Sequence, residues 1–231
     1  MSSVSHKPLF LHEEILLLAL RAREGTIPAR ASHFPFALGG AILSELLLAQ
    51  RARVSTEGKR DFVEAVDHTS LEDALLDECL GMIAAAKRRA TVQAWVGRFT
   101  RLKGLKHRVA RGLVARRILR SDEHKVLLVF TRSTYPVLDA RPERELVRRL
   151  RQTIFGHGHD VPPRTVVLLS LAWRTGLLKL VFDRKRLKER KARIEQVVRG
   201  ERTGKAAKKA IEAMQAAVLS AAVVPIMVAR S

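Results

Sequence analysis

Of two early helical stretches, the second carries more apolar residues than a surface helix can hide on one side, and it leaves few folds open to the chain. Leu9–Arg23 sets Leu11, Ile15 and Leu18 at helical spacing, adds apolar residues at flanking positions and gathers its charges toward its ends. Gly25 follows, a natural left-handed stop for such a helix. Leu38–Arg51 is apolar on most of its circumference and opens with the small residues Gly39, Gly40 and Ala41. A helix that is apolar all round must be covered all round, so this one is expected in the middle of a core. A chain of 231 residues can build that core. Only 5% of its residues are aromatic, and Leu, Ala and Val supply most of the 47% that are hydrophobic, a balance that favours helices over sheets.

Pattern and punctuation extend the reading along the chain. Thr26–Pro35 is a loop, marked by Pro28 and Pro35, and Arg53–Val66 is a loop or a short strand. Ser70–Ala86 opens on Ser70 as N-cap with Asp73 three residues on, in the manner of a capping box. Thr91–Thr100 is a helix with Trp95 on its apolar side. The basic helix Gly104–Leu119 buries Leu105, Val109, Leu113 and Val114. Lys125–Phe130 is a strand of a short hairpin. Helices are expected again at Pro142–Phe155, with Pro142 in the first turn, at Thr165–Trp173, at Gly176–Phe182 and at the charged run Arg184–Arg199. Gly204–Lys209 begins a final helix. Within it Ala210–Ala229 is the one candidate membrane span, but Glu212, Gln215 and Pro225 interrupt it, and it is read as a buried closing helix. The expected class is all-α, mainly helical with a buried helical core, plus a small β-hairpin. The expected organisation is a flexible arm over residues 1–8 and one helical domain over 9–231.

Net charge divides the chain in another way. Residues 1–100 hold 12 Lys or Arg and 12 Asp or Glu, whereas residues 101–231 hold 31 against 11 and carry the whole formal +20. A field of that size attracts polyanions and says nothing of the fold. The partners it admits are nucleic acid, an anionic membrane surface or an acidic protein. Arg141, Arg144 and Arg148 stand at i, i+3 and i+7, on one helix face, where guanidinium groups could grip a phosphate by charge-assisted hydrogen bonds. Beside Arg30, the loop His33-Phe34-Pro35-Phe36 offers two rings as a shallow interfacial wedge. Each feature also has a plainer reading. Phe34 and Phe36 could be core residues under a loop, and the arginines a solvated face partly neutralised by Glu143 and Glu145.

Other chemistries are thinly represented. For nucleic acid there are the basic helix Arg108–Arg120 with the hairpin after it, and the dense run Arg184–Arg193. No zinc-finger spacing, stacking motif or basic-zipper heptad accompanies them. Gly156-His157-Gly158-His159-Asp160 has two imidazoles and a carboxylate, but no further ligand cluster completes a metal site and a His/Gly loop is the simpler reading. Glu13 and Glu14 are adjacent on a helix and point to different faces, which argues against paired acid/base work. Cys79 lacks an activating base, is read as a structural thiol, and as a lone cysteine suits a reducing cytosol. Neither a phosphate-cradling Gly loop nor a nucleophile elbow is present. The chain is read as non-enzymatic, with no metal and no cofactor.

The run His12-Glu13-Glu14-Ile15-Leu16-Leu17-Leu18, then Arg23-Glu24-Gly25, then Gly40-Ala41-Ile42-Leu43-Ser44-Glu45-Leu46, closely resembles the opening of the Golgi phosphoprotein 3 family. The resemblance continues through Leu76-Asp77-Glu78, Thr91-Val92-Gln93-Ala94-Trp95, Arg108–Leu119, Leu127-Leu128, Tyr135-Pro136 and Leu168–Ala172. It spans Leu9 to Arg199 in order, and its specificity lies in that order and spacing. It implies a mostly helical fold and a peripheral adaptor that recognises phosphatidylinositol 4-phosphate. In eukaryotic members the headgroup pocket joins a tryptophan and an arginine near the first two helices to basic residues on a later helix. The matching positions here are Arg30 and Gly39, with Arg144 and Arg148 at or beside the later basic pair and Glu145 between them. The arm before Leu9 lacks the arginine cluster through which eukaryotic members engage vesicle coats. The many alanines and arginines suggest a bacterial member.

The resulting expectation is a soluble, cytoplasmic, peripherally membrane-associated adaptor. Arg30, Arg141, Arg144 and Arg148 would bind an anionic phospholipid headgroup, and Phe34 and Phe36 would touch the membrane. A membrane-protein cargo and self-association into a homo-oligomer are left open, and non-specific nucleic-acid binding is the alternative.

Overall fold

The computed structural model describes residues 7–126, 130–158 and 160–200, so the expected closing helix, most of the arm and His159 lie outside the described residues. In chain order the elements are α1 (Leu11–Ala19), α2 (Phe34–Leu48), β1 (Ala52–Glu57), β2 (Arg60–Ala65), α3 (Ala74–Ala84), β3 (Ala90–Thr91), α4 (Val92–Thr100) and α5 (Leu105–Ala115). They continue with β4 (Asp122–Val126), β5 (Phe130–Thr134), α6 (Arg141–Phe155), α7 (Pro163–Arg174), α8 (Leu178–Val181), α9 (Arg184–Glu189) and α10 (Lys191–Val198). The architecture is mainly helical with two small antiparallel sheets.

The two apolar helices occupy the centre, as their composition requires. Every residue of α1 is buried, and α1 packs against α2, α5, α6, α7 and α8. α2 packs in turn against α3, α4 and α7. Leu11, Ile15, Leu16, Ile42, Leu43 and Leu46 are fully covered, and each contributes roughly 1.5–3 kcal/mol relative to an exposed side chain.

Local chemistry explains where the elements depart from the sequence reading. α1 stops at Ala19 instead of running to Arg23, because the chain folds back in a turn that pairs Arg21 with Thr26. α2 begins at Phe34, four residues before the expected Leu38, with Pro35 in its first turn. Proline suits that place because its fixed φ is helical and its missing N–H is not needed there. α3 is capped by Asp73, whose carboxylate accepts from the amides of Leu75 and Leu76, and not by Ser70. Thr91 caps α4. Arg53–Val66 proves to be a hairpin: β1 and β2 pair from Ala52↔Ala65 to Glu57↔Arg60 around a two-residue turn with Gly58 at φ +60°. Positive φ at that place is the ordinary role of glycine in a tight hairpin. β3 adds to the same sheet through Phe62↔Thr91 and Val63↔Ala90. The second hairpin runs from Asp122↔Thr134 to Val126↔Phe130, so the apolar run Lys125–Phe130 straddles its two strands. The charged run Arg184–Arg199 is two short helices divided at Arg190.

Candidate functional site

Three carboxylates lie among the leucines of α1 and α2, and each needs a cation if it is to stay charged there. Glu13 receives Arg116 at 2.6 Å, and its other role is to accept the amide of Phe10 at 2.9 Å. Glu14 receives Arg149 at 2.6 Å. Glu45 takes a two-pronged contact from Arg164 at 2.8 and 2.9 Å and accepts the amide of Leu11 at 2.6 Å. Burial pushes the Glu14 carboxyl above the usual range, while Arg149 and Arg164 pull it back. The C-terminal end of α5, α6 and α7 are thereby tied by charge to the central pair. The pairing of these arginines is internal, although each keeps part of its side chain exposed.

The α1–α2 loop meets α4 and α5 at a different place. A groove of about 400 Å³ runs between them, with Ile27, Pro28, Phe34 and Leu38 on one side and Leu102, Leu105 and Lys106 on the other. Arg30, Ser32 and His33 are exposed on the loop, and Arg101 and Lys103 are exposed on the α4–α5 turn. Phe34 is 4% exposed and packs into the core, because α2 already begins there and turns that ring inward. That corrects its assignment as a membrane contact. Phe36 is half-buried against the same core.

Two glycines fix the loop's approach. A side chain at Gly39 would start 2.8 Å from the Val96 carbonyl oxygen and 2.9 Å from a Thr100 methyl. α2 and α4 therefore touch at a position where the resemblance puts an arginine in eukaryotic relatives, and no arginine fits there. Gly25, at φ +60°, lies directly against the backbone of Tyr135 and Pro136. The Tyr135 amide donates to the Gly25 carbonyl at 2.9 Å, and the Val137 amide to that of Ala22 at 2.9 Å. The Tyr135 hydroxyl meets His107 Nδ1 at 2.8 Å. Loop, basic helix α5 and the base of the second hairpin are thus one connected unit. Burial, and then Lys106 and Arg111, hold the His107 ring below its usual range.

Arg141, Arg144 and Arg148 sit on α6 and are all exposed. Arg141 is held by Asp139 at 2.8 Å, and Arg148 by Glu145 at 2.9 and 2.6 Å. Glu143, half-buried beside Arg144, is pushed up by burial and drawn down by that arginine. α6 contributes no residue to the groove beside Arg30; the basic helix that does is α5, through Lys106. The spacing of the α6 arginines was legible, but which helix neighbours the loop was not. Lys106 follows a glycine-capped turn that carries Arg101 and Lys103, a local cluster the sequence does show. Arg116, Arg149 and Arg164 could have been anticipated from Glu13, Glu14 and Glu45, acids set in apolar runs. Elsewhere, Cys79 is buried and its thiol is pushed up to about 12, first by burial and then by Glu78. Among the described residues no group of three or more His, Cys, Asp or Glu gathers as a metal site. Nor is any described helix long and apolar enough to cross a membrane.

Comparison with known proteins adds the lineage. The family model described as Golgi phosphoprotein 3 (GPP34) matches residues 11–214. Vacuolar protein sorting-associated protein 74 of Eremothecium gossypii is 30% identical over 160 residues, which is 62% of this chain and 48% of that protein. Its namesake in Schizosaccharomyces pombe is 29% identical over 160 residues, 62% of this chain and 47% of that protein. The matched region spans about half the length of these relatives.

Proposed function

The chain belongs to the Golgi phosphoprotein 3 family, and on that premise we propose that it is a non-catalytic peripheral adaptor that recognises an anionic phospholipid headgroup. By family resemblance the headgroup is phosphatidylinositol 4-phosphate, and the adaptor would join that membrane to a membrane-protein cargo. The observation that carries this reading is the groove between the α1–α2 loop and α5. It places Lys106 on an apolar floor, between a loop that exposes Arg30 and a turn that exposes Arg101 and Lys103. Cations at phosphate level beside half-buried apolar side chains are the elements of reversible interfacial docking. Each contributes about 1 kcal/mol near an anionic leaflet. Arg141, Arg144 and Arg148 add to the field from α6, with Arg141 and Arg148 discounted by their ion pairs.

The test is co-sedimentation with vesicles carrying phosphatidylinositol 4-phosphate, phosphatidylinositol or phosphatidylglycerol at matched charge, with duplex DNA as competitor. Lys103→Ala with Lys106→Ala should weaken binding to the preferred vesicle about thirtyfold, the loss of two such contacts. Equal loss from Lys188→Ala with Lys191→Ala would replace the groove by a diffuse field. Binding to every anionic surface alike, abolished by DNA, would instead favour nucleic acid. That second reading draws on α9, which exposes Arg184, Lys185, Arg186 and Lys188 in one short helix.

A further inference from the structure

A second hollow, of about 420 Å³, opens on the side of α6 that faces the chain entering α1. It shares no lining residue with the groove at Arg30, and its size falls in the lower part of the ~300–1,000 Å³ range of small-ligand sites. Leu9, Ile118, Pro142 and Leu146 give it an apolar floor, and Arg141 and Arg149 stand on its wall. Every cation around it has a carboxylate, so net charge alone recommends nothing; the unused hydrogen-bonding capacity does. Arg149 spends a single N–H, on Glu14, although a guanidinium offers five. Its Nε is buried without a hydrogen-bond partner, while Glu14 Oε2 behind the wall keeps the Arg164 guanidinium at 3.9 Å. Arg141 spends Nε and Nη2 on Asp139 and leaves Nη1 unspent, with the side chain 64% exposed. Glu145, a carboxylate that also lines the hollow, is engaged by Arg148. A buried donor without a hydrogen bond beside a formed cavity calls for an explanation, and a ligand that carries an acceptor is one.

We propose that this cleft is a second ligand site, for a single-chain amphiphile whose carboxylate or phosphate head meets Arg149 and Arg141 while its apolar body lies on Leu9, Ile118 and Leu146. The head takes charge-assisted bonds from guanidinium N–H groups that Asp139 and Glu14 leave unspent. The body covers what Leu9 and Pro142 leave half-exposed, over a base of Ile118 and Leu146 that is already buried. The site is independent of membrane docking at the groove, and either reading can fail without the other.

Isothermal titration of the intact chain with decanoate, decyl phosphate and decyl maltoside, each below its micelle concentration, tests it. The two anions should bind at least about tenfold more tightly than the neutral maltoside. Binding of one anion alone identifies the head as carboxylate or phosphate. Arg149→Lys keeps a cation for Glu14 but removes the planar fork, and should cost about tenfold in anion affinity. Pro8→Trp, at an exposed rim residue whose side chain takes no part in the ion pairs, should fill the cleft and abolish binding while circular dichroism stays unchanged. Equal binding of the maltoside, binding that survives Pro8→Trp, or no heat at millimolar ligand would each overturn the proposal.

Discussion

The cations packed on α1 and those displayed by α9 come from the same basic stretch of sequence and are held in opposite ways. Arg116, Arg149 and Arg164 reach carboxylates that are 4–6% exposed, at 2.6 to 2.8 Å. Arg184, Lys185 and Lys188 stand in solvent on a helix that buries only Leu187. The formal +20 counts both sets alike. Being a net figure, it already subtracts Glu13, Glu14 and Glu45, so their ion pairs relocate the excess and do not reduce it. Charge density along a sequence therefore does not tell where on the surface a partner meets that excess.

The sharpest way to break this contrast is to remove one internal cation. Arg164→Leu strands Glu45 in the core and should lower the stability measured by urea unfolding by about 3–5 kcal/mol, the usual consequence of breaking a buried pair. A loss under 1 kcal/mol would put Arg164 in the same class as α9. Gly39→Arg comes next: it should destabilise by about 1–3 kcal/mol through overpacking against α4, and it should not restore headgroup binding. Wild-type stability in that variant would mean that α2 and α4 separate readily. Lys188→Ala with Lys191→Ala should change stability by no more than about 0.5 kcal/mol, so a larger shift would assign α9 a structural role. Smallest is the acid response of His107. Its folded pKa lies below the ordinary 6.5, so the unfolded chain binds the proton more readily. The contribution is complete above 6.5 and is lost as pH falls toward the folded value. The protection factor of the Tyr135 amide in hydrogen exchange should fall between pH 7 and 5, and an unchanged factor would show that the ring does not hold the hairpin base.

These contrasts also explain what could be read in advance. The central place of α2 was legible because Leu38–Arg51 is apolar on most sides and must be covered whatever covers it, whereas α1 was legible only as a helix, from Leu11, Ile15 and Leu18. Thr91 as the start of α4 was legible because a hydroxyl there meets a local amide, a contact made within three residues. The start of α2 was not, since Pro35 marks a loop and a first helical turn equally well, and only the packing of Phe34 decides. The first hairpin was hidden because its strands alternate weakly, with Val63 as the one buried residue of β2. The candidate site suffered most. Which basic helix lies beside Arg30 is a matter of tertiary proximity, and the spacing within α6 carries no information on it.

The ion pairs of the core also impose an order on the birth of the molecule. Glu13 waits for a partner 103 residues later, Glu45 for one 119 residues later and Glu14 for one 135 residues later. At roughly 5–20 residues per second of synthesis, α1 and α2 leave the ribosome many seconds before Arg116, Arg149 and Arg164 exist. During that interval the two central helices carry unmatched carboxylates, which keep them wet. The same acids that would spoil a finished core unpaired serve, in the nascent chain, as a brake on its premature collapse.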